Sequence, residues 1–322
     1  MRVLIVDKFE PFGVQELKQL GCEVFYEPGT SGEKLIARVR ESGAEILIVR
    51  STRVTRDVLD AGQSLAMVIR AGAGVDTIDV PAASANQIRV CNCPGMNSVA
   101  VAELTIGLMI ALDRRIVDET QDLRRGIWNK KEYSKAGGLK GRTLGIIGLG
   151  RVGTEVAKRA RAFEMRLFYA DVFDRPDLER DLGLVKVPLD RLLSESDFIS
   201  LHVPGGTSTK HMIGEREIAK MKPTAFIINA SRGGVVDERA LTTALQAGKL
   251  AGAAFDVWEV EPETPEGEFR DETPKAPHVV GTHHVGASTE QAQLAVAEET
   301  VRIVRTFLKT GKVLNCVNLK PA

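Results

Sequence analysis

Two of the five histidines in this chain stand side by side in "GTHHVGAST", as His283 and His284. Imidazole changes charge nearer neutral pH than any other ordinary side chain, so a histidine at a strand end is a candidate acid or base. Successive residues of an extended strand face opposite ways, so at most one of the pair faces a given pocket. The run "FIINASRGG" ends in Arg232 and two glycines. That setting suits a guanidinium fork offered to a carboxylate, and pairing with a structural acid is the competing reading. "AAFDVWEVEP" supplies Asp256, Glu259 and Glu261 ahead of Pro262. One of these acids can orient and charge a histidine. Glu259 reads as part of a solvated loop, and spacing alone does not decide for Glu261. His202, in "LHVP", reads as lining on a cofactor side, while His211 and His278 read as solvated turn residues.

A second chemistry is written in "LGIIGLGRVG". A strand runs into Gly148, Gly150 and Gly153, and a helix begins within the glycine loop. Gly148 permits a tight turn, Gly150 lets backbone approach a diphosphate, and Gly153 lets helix pack on strand. The helix N-terminus adds free N–H groups and positive potential. A further strand ends at Asp171, 23 residues after Gly148. An acid there accepts hydrogen bonds from ribose hydroxyls and repels a 2′-phosphate, so the expected cofactor is NAD rather than NADP. Arg175 lies near enough to soften that preference, but reads as a surface residue.

These residues need strands behind them, and the chain supplies two series. "VLIV" (3–6), "EVFY" (23–26), "ILIV" (46–49) and "LAMVIRAG" (65–72) alternate with helical spacing, and "IRVCNCPG" closes the first series at Pro94 and Gly95. A long helix is expected over roughly 98–125, with Asn97 as its N-cap. "TLGIIG", "RLFYAD", "FISLHV", "AFIINA", "AGAAFDV" and "HVVGTH" form the second series, and a last helix spans 289–309. Such alternation predicts parallel sheets covered by helices on both faces. The expected fold is α/β, with two Rossmann-like or flavodoxin-like parallel-sheet domains and an active-site cleft between them. One domain takes 1–95 plus 288–322 and carries the substrate; the other, 96–287, binds NAD.

Composition excludes several classes. The 322 residues carry 43 basic and 43 acidic side chains, so no net field favours nucleic acid or a membrane surface. "MRVLIVDKFE" meets charge too early for a signal peptide, and "VAVAELTIGLMIAL" is too short to span a bilayer and includes Glu103. Cys22, Cys91, Cys93 and Cys316 match neither a zinc knuckle nor a redox CxxC pair, and read as reduced thiols of a cytoplasmic protein. No metal is implied.

Along essentially its whole length the chain resembles the D-2-hydroxyacid dehydrogenase family, most closely its phosphoglycerate dehydrogenase branch. "VRSTRVT", "IRAGAGVDTID", "NSVAVAELTIGLMI", "LKGRTLGIIGLGRVG", "FIINASRGGVVDE", "AAFDVWEVEP" and "HHVGASTEQAQ" carry the likeness. The resemblance implies that Arg232 holds the substrate carboxylate, that His284 is the acid/base, and that Glu261 supports it. His283 stands where the family usually has Pro. Cofactor contacts are implied for Arg151, Val152, Asp171, Val203, Pro204, Ala230, Ser231, Arg232 and Asp256, with His284 at the nicotinamide. Substrate contacts are implied for the loop of Ala71, Gly72, Ala73, Gly74 and Val75. Arg50 and Arg70 are implied at a substrate phosphate, and Lys130 stands where the family offers Arg. The partner is then a small 2-hydroxy or 2-oxo acid, in serine biosynthesis if it is 3-phosphoglycerate. Glyoxylate, hydroxypyruvate or another 2-oxo acid is the rival substrate, and an NAD-sensing co-regulator is the non-catalytic alternative. The likeness also implies a homodimer through the long helix and the Trp128 loop. It implies a short form without a C-terminal regulatory domain, since the sequence stops at Ala322.

Overall fold

Short apolar runs become the strands of two all-parallel sheets in the computed structural model of this protein, which describes residues 1–262 and 266–319. The chain divides into one unit of Met1–Asn97 with Ser288–Ala322, and another of Ser98–Ala287. The first unit runs two residues beyond the boundary at 95 that the sequence suggested.

In the first unit β1 (Arg2–Ile5), β2 (Glu23–Tyr26), β3 (Ile46–Val49), β4 (Met67–Arg70) and β5 (Arg89–Asn92) lie in the order β2-β1-β3-β4-β5. Alternate residues serve opposite faces. Val3, Ile5, Ile46, Ile48 and Ile69 pack with Leu17 and with Val301 and Val304 of the helix Glu290–Thr310. Leu4, Leu47, Val49, Val68 and Val90 pack with Leu35, Val39 and Leu59 on the other side. Burying each such side chain is worth about 1.5–3 kcal/mol, so strands read as unbroken apolar runs need cover on both faces. Thr289 caps the last helix through its Oγ1, which accepts from Ala292 N at 3.2 Å.

The second unit holds β6 (Thr143–Ile147), β7 (Arg166–Ala170), β8 (Leu184–Lys186), β9 (Phe198–Leu201), β10 (Phe226–Asn229), β11 (Gly252–Phe255) and β12 (Val279–Gly281). Their order is β12-β11-β10-β9-β6-β7-β8. The direction of winding reverses between β6 and β9, and an open sheet binds ligands at the carboxyl ends of its strands beside that point.

Three sequence expectations change here. The helix expected over 98–125 is two helices, Ser98–Arg114 and Ile116–Arg124, broken at Arg115, whose φ is +53°. Arg115 turns to Asp118 (2.9 Å) and Glu132 (2.8 Å). The apolar pattern runs through the break because Ile116, Val117 and Leu123 imitate a buried stripe while standing exposed. The edge strand β8 escaped notice because only Leu184 of its three residues is buried. The histidine pair is not in a strand at all: β12 ends at Gly281, and His284 has φ +54°. Among the described residues no helix is long and apolar enough to cross a membrane.

Candidate active site

The loop after β6 is shaped by glycines, two of which leave no room for a side chain. Gly148 has φ +90°, and a Cβ there would lie 2.6 Å from the His202 carbonyl oxygen. A Cβ on Gly153 would lie 2.2 Å from the Gly148 oxygen. At Gly150 the same test meets nothing within 4 Å. That open space lies at the N-terminus of the helix Arg151–Ala162, where the first N–H groups have no helical partner. Arg151 and Val152 are its first residues. A diphosphate fits such a cradle.

Asp171, just past β7, faces this loop. Its Oδ2 accepts from Leu149 N (2.6 Å) and its Oδ1 from Phe173 N (2.9 Å), which leaves lone pairs for ribose hydroxyls. Arg175 is not the surface residue its position suggested. It is half-buried, and its Nη1 donates to the Leu149 carbonyl at 2.8 Å, bracing the loop. From β9, Val203 packs against Gly148. His202 Nε2 lies 2.7 Å from Ser200 Oγ, and burial pushes the imidazole down to about 3, so the ring is neutral. Its buried Nδ1 has no hydrogen-bond partner among the described residues. Glycine cradle, acid and neutral lining together fit a dinucleotide carrying unphosphorylated ribose.

Three turns at the ends of β10, β11 and β12 carry the reactive groups. Asn229, 1% exposed, sets the first. Its Oδ1 accepts from Ser231 N (3.1 Å) and Ser231 Oγ (2.7 Å), and its Nδ2 donates to the Arg232 carbonyl (2.9 Å). Ala230 and Ser231 are buried in this turn, and Arg232 Nη1 donates to the Ser231 carbonyl at 2.7 Å. A Cβ on Gly233 would lie 1.9 Å from the Trp258 carbonyl oxygen, so glycine alone lets the first two turns touch. In the second turn Trp258 N donates to Glu261 Oε1 at 3.0 Å. Trp258 itself stacks on Phe255 and donates its Nε1–H to the Thr282 carbonyl at 2.9 Å, joining the second turn to the third.

Asp256 organises the third turn. Its buried carboxylate accepts from Thr282 Oγ1 (2.7 Å), Val285 N (2.8 Å) and Gly286 N (2.8 Å), and its carbonyl accepts from His284 N (2.7 Å). These bonds hold His284 in its left-handed conformation, with Nδ1 2.8 Å from Glu261 Oε2. A carboxylate accepts, so Nδ1 carries the proton and Nε2 is the edge left for chemistry. Burial pushes the Glu261 carboxyl up, but contact with His284, the Trp258 amide and the Arg232 charge outweigh it and hold the group below its ordinary value. Arg232, Glu261 and His284 thus share one electrostatic neighbourhood. His283 is exposed and outside this network. Glu259 is not a merely solvated acid, because its Oε1 lies 2.8 Å from His211 Nε2, which also gives His211 a partner its turn position did not reveal.

On the first unit, Arg50 and Arg70 stand at the ends of neighbouring strands. Burial lowers the Arg50 pKa, with Asp7 and Glu10 opposing, and its Nη2 donates to Ser288 Oγ at 3.0 Å. The Arg70 guanidinium lies over Gly72, where a Cβ would fall 1.5 Å from Nη1. The loop from Ala71 to Val75 is braced from β5: Asn92 Nδ2 donates to the Ala73 carbonyl (2.6 Å) and Cys93 N to that of Gly72 (2.8 Å). Lys130, in the second unit, stands at the start of the helix Lys130–Tyr133, in a groove with Leu123, Ile127 and Trp128. Asn229, Trp258, Thr282 and Asn92 escaped the sequence reading. An Asn as the last residue of a buried strand was the one available signal, since Asx turns begin there. Among the described residues no group of three His, Cys, Asp or Glu side chains could hold a metal ion.

Comparison with known proteins finds named relatives along this chain. A family profile described as D-isomer specific 2-hydroxyacid dehydrogenase, NAD binding domain, matches residues 106–286. A D-3-phosphoglycerate dehydrogenase of Methanocaldococcus jannaschii is 40% identical over 321 residues, 99% of this chain and 60% of that protein. The chain therefore spans about three fifths of the length of that relative. A hydroxypyruvate reductase of Thermotoga maritima is 47% identical over 258 residues, covering 80% of this chain and 82% of its own. The crystal structure of a D-lactate dehydrogenase from Aquifex aeolicus, complexed with NAD and lactic acid, superposes with a TM-score of 0.84 at 30% identity. That superposition covers 99% of this chain and all of the other.

Proposed function

Given that this chain belongs to the D-isomer specific 2-hydroxyacid dehydrogenase family, we propose that it moves hydride between NAD and a D-2-hydroxy acid, with 3-phosphoglycerate as substrate. The observation that carries the reading is the contact of His284 Nδ1 with Glu261 Oε2 at 2.8 Å, inside the field of Arg232. NAD, held by the Gly148–Gly153 loop and Asp171, supplies the hydride chemistry when bound. Arg232 takes the substrate carboxylate in parallel hydrogen bonds and so orients C2. His284 Nε2 removes the hydroxyl proton in oxidation and returns it to the carbonyl oxygen in reduction. Glu261 faces Nδ1 throughout and compensates the imidazolium charge. Asp256 acts through backbone, holding His284 where both contacts are possible. On the first unit Arg50, Arg70 and the loop 71–75 are the candidate contacts for the substrate's far, anionic end. Lys130 stands apart from the other candidates in the second unit, and we assign it no step.

The 47% identity to a hydroxypyruvate reductase favours a second reading, in which the far end is a plain hydroxymethyl group. Turnover linked to NADH separates the two. Measured on 3-phosphoglycerate beside glycerate and lactate, and in reverse on hydroxypyruvate and glyoxylate, kcat/KM is expected to be highest for the phosphorylated acid. A preference for hydroxypyruvate overturns that choice of substrate. No turnover on any of the five overturns the enzyme reading in favour of an NAD-binding co-regulator. We place the protein in the cytoplasm, in keeping with its four free thiols, as a homodimer built on the exposed apolar side chains of Ile116, Leu123, Ile127 and Trp128.

A further inference from the structure

The second unit buries an acid that the proposed mechanism does not use. Glu238 opens the helix Glu238–Gln246 and is 4% exposed. Its Oε1 accepts from Glu259 N at 2.6 Å, and Thr273 Oγ1 donates to its Oε2 at 3.5 Å. Another carboxyl, that of Asp271, lines the same cavity and meets the same threonine, accepting from Thr273 N at 2.7 Å. Two carboxyl groups can share a hydrogen bond only if one of them keeps its proton. The site lines a cavity of about 320 Å³.

We infer that Glu238 is a positioning residue: protonated and clasped to Asp271, it anchors the turn 258–261 so that Glu261 meets His284. The linkage is short. Glu238 holds Glu259 N; Trp258 N, one residue earlier, donates to Glu261 Oε1; and Glu261 Oε2 contacts His284 Nδ1. The kinetic consequence rests on the acid/base reading above, whereas the clasp itself does not.

Most of the acids around Glu238 already have partners of their own. On its own helix Asp237 caps Ala240 N, and Arg239 lines the cavity. On the turn, Glu259 pairs with His211, which also lies 4.0 Å from Asp237. On the third element Glu272 pairs with Lys275 at 2.7 Å, leaving Asp271 to face Glu238. Burial raises the Glu238 pKa to about 8, the Asp271 contact adds to the rise, and the Glu259 amide opposes it. Asp271 is lowered: burial pushes it up, but the bonds from Glu238 and Thr273 outweigh that. The proton is therefore kept below about pH 8 and lost above it, when two anions face each other and the clasp opens.

Trp258, 6% exposed, reports on the turn directly, and Trp128→Phe removes the only other tryptophan. In that background the Trp258 emission is expected to shift red between pH 7 and 9 with a midpoint near 8. Glu238→Gln keeps the shape and both hydrogen-bonding roles of the protonated acid, so its emission should stay level across that range. Asp271→Asn keeps the fold but removes the opposing charge, so the midpoint should fall. In turnover of whichever 2-oxo acid is accepted, Glu238→Gln should match the parent within about twofold at pH 7 and lose its decline above pH 8. Glu238→Ala should lower kcat about tenfold with NADH affinity unchanged. The same emission titration in Glu238→Gln as in the parent, or an unmoved midpoint in Asp271→Asn, overturns the inference. If no 2-oxo acid turns over, the function reading fails, and the fluorescence still decides the role of Glu238.

Discussion

Replacing His284 by Asn tests the reaction scheme at its centre, and the backbone makes this the right substitution. At φ +54° most L residues are strained by about 1–2 kcal/mol, whereas Asn tolerates the left-handed region. The amide can still donate to Glu261, so the turn should keep its shape while proton transfer is lost. Removing a positioned acid/base costs about 10²–10⁴ in rate, or ~3–5 kcal/mol. Glu261→Gln isolates the charge. Two unit charges 4 Å apart interact by about 4 kcal/mol at an effective dielectric of about 20. The imidazole is 51% exposed, so solvent screening cuts this to about 1.5 kcal/mol, roughly tenfold in kcat. Because both residues serve one proton, the double variant should be hardly slower than His284→Asn alone. The assay is NADH oxidation with the accepted 2-oxo acid, beside NADH binding by fluorescence, which should not change. His283→Asn, on an exposed residue, should stay within about threefold of the parent. Equal losses at His283 and His284, or multiplying losses in the double variant, would refute the scheme.

Three further outcomes follow from contacts described above. Arg232→Lys keeps the charge but loses the planar fork, so KM for the acid should rise about tenfold or more with NADH binding intact, measured by steady-state kinetics. Asp171→Ala removes both the ribose acceptor and the brace on Leu149 N (2.6 Å); NADH affinity should weaken by about 1.5–3 kcal/mol and discrimination against NADPH should shrink, read by titration calorimetry. Asp256→Asn turns an NH₂ group toward amides that need an acceptor. It should cost about 2 kcal/mol, a fall in Tm of about 4–8 °C by calorimetry, and lower kcat because the His284 turn loosens.

Local order in the chain carried much of this protein. The strands were legible because buried parallel strands are continuous apolar runs, and the dinucleotide cradle because its three glycines and its acid lie within one βαβ unit. β8 and the break at Arg115 were not legible. One is an edge strand with a single buried residue, and the other hides behind apolar side chains that face solvent. Neighbour-to-neighbour spacing could not decide the role of Glu261, nor assign one to Arg232; those came from likeness to a family.

What the linear order determined by itself was therefore the layout of strands and the site of the cofactor, since both depend on residues close along the chain. What only tertiary structure decided was which groups meet. Gly233 lets the Arg232 turn touch Trp258, Asp256 turns His284 toward Glu261, and Glu238 finds Asp271 33 residues away. Each of these contacts joins segments far apart in the chain, and their distances are set by how the sheet twists and packs, which no periodicity in the sequence encodes.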